Sequence, residues 1–294
     1  MRHEVEPILD AQVSLSDGRS LAYAVWGDPD GQTVLLFHGA PGSRMFTPDP
    51  DLTARAGVRL VTVDRPGYGR SDADPGRTIL DWPADILQLA DAIQAPRFAI
   101  AAHSSGGPYA LACAVQLSNR ISAVTLVSCP APYDVPMTQV ADDEDRALTR
   151  LCRDDPDRAV ARFAESIAVV VDDPEVFLTV PRPPPDSELL ADEGIRNMFL
   201  RTIHEAVRQG ADAYGRDCVL ERRPWGFALG DVDQNVSIWH GEQDGVVDPA
   251  QAAALKDELH VAHLSLVPDD GHGLILARWT DILDDLRARL HGRG

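Results

Sequence analysis

The chain predicts an α/β protein, a mostly parallel sheet with helices on both faces and one helical insertion. Three observations carry this. Short apolar runs alternate with helical patterns through residues 1–129, the alternation stops over 130–230, and it resumes over 231–294. At 294 residues the chain suits one large domain carrying a substantial insertion.

The elements follow in order. Val13–Leu15 and Leu21–Trp26 flank the turn Ser16-Asp17-Gly18-Arg19 and read as a hairpin opening the sheet. Val34–His38 and Val58–Asp64 are continuous apolar runs, the mark of strands buried on both faces, and Phe98–His103 and Ala123–Ser128 follow. Asp81 precedes a helix with Pro83 in its first turn and Ile86, Leu89, Ala90 and Ile93 at helical spacing. Another helix opens after Ser104 and runs through Pro108 to about Leu117. In the insertion, Asp155-Pro156 reads as a cap followed by Pro at the first helical position. The run Pro181–Pro185 predicts an extended connection, and a longer helix spans about Ser187 to Gln209, ended by Gly210. So much helix between two strands does not fit inside a sheet, so it is expected over the carboxyl edge as a cap. Val236–Trp239 and Leu264–Val267 are strands, Pro249–Leu259 a helix, and Leu274–Leu290 a closing helix.

Charge excludes some partners. The 46 acidic residues against 27 Lys and Arg give a net charge of −19, which repels phosphate backbones and anionic lipid. Neither nucleic acid nor a membrane is an expected partner; a small-molecule substrate is, and the sequence leaves homo-oligomerisation open. The N-terminal decapeptide has no apolar h-region, the apolar runs are too short to span a bilayer, and Asn235-Val236-Ser237 reads as a chance glycosylation match. Cys113, Cys129, Cys152 and Cys218 form no C-x-x-C pair and read as buried thiols. The expected location is the cytoplasm. With no H-E-x-x-H, no paired C-x-x-C and no phosphate-binding G-x-x-x-x-G-K-[ST], no metal and no cofactor are expected.

The chemistry centres on Ala102-His103-Ser104-Ser105-Gly106-Gly107, after a strand and at the start of a helix. That context gives a G-x-S-x-G-like turn its meaning: a sharp strand-to-helix turn lifts the serine hydroxyl to the sheet edge, and backbones pass so close that the residues two before and two after must be small. Ala102 and Gly106 satisfy this for Ser104; for Ser105 the residue two before is His103, which is too large. A serine hydroxyl needs a base. Sites in parallel sheets form at strand carboxyl ends, where His272 falls just after the last strand, between Gly271 and Gly273; His263 lies on the wrong edge, and His240 adjoins the acid candidate. The base needs an orienting carboxylate, for which Asp244 is chosen. Asp248 precedes Pro249 and reads as a helix cap; Glu242 and Asp134 are rivals. The oxyanion donors are the Ser105 amide and, since Pro41 has no N–H, the Ala40 amide in His38–Gly42, with Gly39 behind it. His38 reads as a structural hydrogen-bonding residue. Trp225, Phe227, Met198 and Phe199 are candidates for lining a substrate pocket.

Together these pieces resemble the α/β-hydrolase superfamily over essentially the whole chain, and more narrowly capped bacterial hydrolases with an H-G-x-P-G-S-R loop, here His38–Arg44, and a D-R-P-G-Y-G-x-S-D stretch, here Asp64–Asp72. The resemblance implies an eight-stranded sheet with the cap after strand six. The oxyanion loop is also similar to that of proline iminopeptidases, but Ala40 and Asp64-Arg65-Pro66 depart from H-G-G-P-G and D-Q-R, which weighs against peptidase activity. Ser104 at the turn weighs against haloalkane dehalogenases and epoxide hydrolases, which use an aspartate. The expected activity is hydrolysis of an ester-like acyl bond, as in an esterase, thioesterase or lactonase. Carbon–carbon bond hydrolysis and aminopeptidase-like action remain open on the same residues, and so does a non-catalytic small-molecule receptor.

Overall fold

The structure, a computed structural model, describes residues 5–133 and 143–291. Its sheet contains β1 (Leu9–Ser14), β2 (Ser20–Gly27), β3 (Gln32–Phe37), β4 (Val58–Val63), β5 (Phe98–His103), β6 (Ile121–Val127), β7 (Val236–Gly241) and β8 (Ala262–Val267). The order across the eight-stranded sheet is β1-β2-β4-β3-β5-β6-β7-β8. β2 pairs antiparallel with both β1 and β4, and every other neighbouring pair is parallel. The expected α/β fold with a mostly parallel sheet is present.

The apolar runs are continuous because both faces are covered. Leu35 and Phe37 of β3, Val61 of β4 and Ile100 of β5 join one core with Leu89 and Leu111 from the helices Trp82–Ala92 and Gly107–Gln116. Their neighbours Val34, Leu36, Leu60 and Ala99 point the other way, onto Trp279, Ile282 and Leu286 of the helix Trp279–His291. Two indoles are anchored by threonine hydroxyls beneath that second layer: Trp26 Nε1 donates to Thr62 Oγ1 at 2.9 Å and Trp279 Nε1 to Thr53 Oγ1 at 2.8 Å.

The topology fixes where a ligand can enter. From β3 the chain moves to β4 on one side and then crosses to β5 on the other. The connections leaving β3 and β5 diverge, which opens a crevice at their carboxyl ends. The loop after β3 and the turn after β5 are the segments carrying His38–Gly42 and Ser104.

Between β6 and β7 the described residues form a series of helices, from Asp143–Asp154 to Asp212–Glu221, joined by short connections. The helices Pro156–Ser166 and Asp212–Glu221 cross closely: a side-chain carbon at Gly215 would lie 2.4 Å from the Val160 carbonyl oxygen. Asp155 caps the first of them through Arg158 N–H, as expected. Three expectations need correction. The helix expected over 187–209 is two helices, Pro184–Leu189 and Glu193–Ala206, because the Asp192 carboxylate accepts from Ile195 N–H and starts a new one. Pro184 and Pro185 lie in the first turn of the earlier helix, where a missing N–H is harmless, so the extended connection covers 181–183 alone. The closing helix is also divided, into Leu274–Ala277 and Trp279–His291. All four cysteines are free and buried, and no helix among the described residues is long and apolar enough to cross a membrane.

Candidate active site

Ser104 stands at the end of β5 with φ +52°, the left-handed region that a residue with a Cβ enters at a cost. The turn is tolerated because its neighbours are small. Ala102 is fully buried, and a side-chain carbon at Gly106 would lie 2.4 Å from the Phe37 carbonyl oxygen of β3. A carbon at Gly39 would lie 3.2 Å from Ser104 Cβ, so the loop after β3 passes directly beside the serine.

His272 and Asp244 meet, as the sequence suggested. His272 Nδ1 donates to Asp244 Oδ2 at 2.9 Å. Oδ2 also lies 3.2 Å from His240 Nε2, whose hydrogen additionally faces the Val247 carbonyl at 2.9 Å. Oδ1 accepts from the Val246 and Val247 amides at 2.8 and 2.9 Å. Burial alone would raise the pKa of Asp244, but the hydrogen bonds from His240 and His272, the His272 charge and the Val247 amide outweigh it and hold the carboxyl well below its ordinary value. Asp248 caps the helix Pro249–Glu258 through Ala250 N–H, as expected, and Glu242 is exposed. Asp134 lies outside the described residues.

Ser104 and His272 open into one cavity of about 300 Å³, lined on the core side by the His38–Gly42 loop, Phe46 and Val246. Its opposite wall comes from the helical insertion and is mainly apolar, with Phe177, Leu178, Leu189 and Phe199. Phe199 is therefore where the sequence placed it. The other three pocket candidates lie elsewhere: Trp225 is buried in the first core, with its Nε1 donating to the Glu221 carbonyl, Phe227 packs against that same core, and Met198 packs against the layer on the other face. Met198 and Phe199 are adjacent on one helix and both touch that layer, but of the two it is Phe199 that lines the cavity.

The oxyanion candidates are available. Neither the Ala40 nor the Ser105 amide has a hydrogen-bond acceptor among the described residues. The loop that carries Ala40 is held from below by Arg65, whose guanidinium donates to the His38 carbonyl and, at 2.9 Å, to the Gly39 carbonyl. His38 Nδ1 also donates to Gly39 O at 2.6 Å, while its Nε2 accepts from Arg65 N–H at 3.4 Å. Burial and the Arg65 charge push the His38 imidazole far below its ordinary value, so it stays neutral. The Arg65 charge is balanced by Asp217 of the insertion, which also receives Arg77, Tyr68 and Tyr109.

Residues missed from the sequence lie around His272 and behind the loop that carries Ala40. His103 Nε2 donates to the His272 carbonyl at 3.0 Å, and its ring stacks on Phe46. Burial first, and the neighbouring His272 second, push its imidazole down to about 3, so it is a neutral donor. Asp186, Arg65 and Asp217 were also missed. Arg65 lay inside the Asp64–Asp72 stretch and was the one with a usable sequence signal; Asp217 sits 152 positions away from it.

The sequence pattern of the alpha/beta hydrolase family matches residues 34–285. A putative carbamate hydrolase RutD from Variovorax paradoxus is 38% identical over 112 residues, covering 37% of this chain and 42% of that protein's length. A non-heme chloroperoxidase from Streptomyces lividans is 27% identical over 90% of this chain and 93% of its own. Among solved structures, the esterase RhEst1 from Rhodococcus superposes with a TM-score of 0.67 at 19% identity, over 97% of this chain and 99% of that one.

Proposed function

The chain belongs to the alpha/beta hydrolase family, and from that premise we propose that it hydrolyses an ester-like acyl bond of a small-molecule substrate, with Ser104 as nucleophile, His272 as base and Asp244 as the acid that orients it. The observation that carries this reading is the 2.9 Å bond from His272 Nδ1 to Asp244, made by a histidine that shares a cavity with the strained serine. An ionised Asp244 fixes the tautomer with Nε2 free to take a proton.

In this reading Ser104 Oγ attacks the acyl carbon while His272 Nε2 accepts its proton. The carbonyl oxygen becomes an oxyanion held by the Ala40 and Ser105 amides. The tetrahedral intermediate collapses as His272 returns the proton to the departing alcohol, leaving an acyl-enzyme. Water, deprotonated by the same imidazole, then releases the acid and restores the serine. Each step moves a proton between groups of the chain, substrate and water, so no cofactor is needed. The apolar wall from the insertion, acting as a cap, suits the hydrocarbon part of an ester, and a cavity of about 300 Å³ lies at the small end for ligand sites. The fold-level likeness to an esterase agrees with this reading without carrying it.

The test is turnover of p-nitrophenyl esters from acetate to dodecanoate, run beside Ser104→Ala. The wild-type protein is expected to prefer the shorter acyl groups, and Ser104→Ala to lose on the order of 10⁶ in kcat. Near-normal turnover by pure Ser104→Ala protein refutes the assignment.

A further inference from the structure

The base is held by its main chain as well as by Asp244, and one of those restraints comes from the insertion. Asp186, buried on the helix Pro184–Leu189, accepts from the His272 amide through Oδ2 at 3.0 Å and from the Gly273 amide through Oδ1 at 2.7 Å. On the opposite side of the same peptide group His103 donates to the His272 carbonyl at 3.0 Å. Gly271 and Gly273 flank His272, so the loop has no side-chain packing of its own at those positions and takes its position from hydrogen bonds. Asp186 also lines the cavity.

We propose that Asp186 is a positioning residue for the base: the insertion completes the site by clamping the His272 loop, so a productive imidazole requires the cap to be seated on the core. This rests on the reading of His272 as general base. A carboxylate suits the task because its two oxygens face two adjacent amides and, being acceptor-only when ionised, it matches two donors at once. An asparagine turns an NH₂ toward one of those amides. The effect on rate follows from geometry, since displacement of a catalytic group by about 1 Å costs about 10²-fold.

Gly271 offers an independent handle. Its φ is not in the left-handed region, yet a side-chain carbon there would meet Oδ2, Cγ and Oδ1 of Asp186 at 2.6, 2.7 and 2.7 Å. Gly271→Ala should therefore push the carboxylate off its amides without touching its chemistry.

The experiment compares Asp186→Asn, Asp186→Ala, Gly271→Ala and the double variant Gly271→Ala/Asp186→Ala, each checked for folding by circular dichroism. Two readouts are taken: kcat and KM on the best ester, and exchange of the His272 and Gly273 amide protons. The proposal expects kcat to fall about 10- to 100-fold with KM within about threefold, and exchange at both amides to speed up about tenfold or more. Gly271→Ala should cost a similar factor alone and less than about twofold in the Asp186→Ala background, because the clash partner is gone. A folded Asp186→Asn protein with kcat within twofold of wild type overturns the proposal, as do additive effects of the two sites. A wild-type protein that cleaves no ester refutes the acyl-hydrolase reading instead; the exchange readout then decides the clamp by itself, and unchanged exchange at His272 and Gly273 overturns it.

Discussion

Asp244 shows how much a single carboxylate is asked to do. Two imidazole nitrogens and two backbone amides converge on its oxygens. The amides fix the carboxylate plane, and the plane fixes the imidazole. Asp244→Asn keeps the volume but presents an N–H where His272 Nδ1 needs an acceptor, which selects the wrong tautomer. The expected loss in kcat is on the order of 10⁴, with KM little changed, measured on the ester that wild type turns over best. The sequence made Asp244 legible by elimination, since Asp248 had a capping role that the Ala250 N–H bond bears out. It could not show His240 or the two valine amides, because those contacts depend on how the loop after β7 closes on itself.

The turn after β5 is the element on which the site depends. Its legibility came from small residues at fixed spacing around a serine, a signal that follows from steric crowding between strand and helix. The structure gives that crowding a partner, the Phe37 carbonyl at 2.4 Å from where a Gly106 side-chain carbon would sit. Because that neighbour is backbone, it cannot swing aside. Gly106→Ala is expected to destabilise the protein by about 2 kcal/mol or more and to displace the Ser105 amide, read out as a lower midpoint in urea together with reduced kcat. The insertion helices were less legible. A helix pattern running through 187–209 gave no reason to expect Asp192 to cap a new helix. The facing of Phe199 but not Met198 toward the cavity depends on the helix's rotation about its axis, which comes from its packing on the core.

At the scale of the molecule, ion pairs with buried arginines join the insertion to the core. Arg65 and Arg77 meet Asp217, and Arg44, which also pairs with Asp10 and Asp64 of the core, meets Glu205. The interdependence of core and insertion is long-range in sequence, which is why it was illegible there while the strands were not. Glu221, at the end of the helix that carries Asp217, is a cost of this arrangement. Burial pushes its carboxyl up to about 7, against a hydrogen bond with Ser105, and its Oε1 has no partner. With the folded value above the unfolded one, the folded state binds the extra proton, so this contribution to stability is full below about pH 4.5 and is lost as pH rises through about 7. Glu221→Gln is therefore expected to raise the melting temperature at pH 8 and to leave it nearly unchanged at pH 4.5. Equal shifts at both pH values contradict the assignment. His103 acts in the opposite sense: its folded value of about 3 lies below the ordinary 6.5, so its contribution to stability is present above 6.5 and is lost as pH falls toward 3.

Covalent capture distinguishes a Ser104 activated by His272 from an ordinary serine hydroxyl. The folded protein is treated with a fluorophosphonate and examined by intact mass and peptide mapping. One adduct is expected, on the peptide containing Ser104, absent from Ser104→Ala and formed far more slowly by His272→Ala. An adduct at another residue, or equal labelling of wild type and His272→Ala, contradicts that activation.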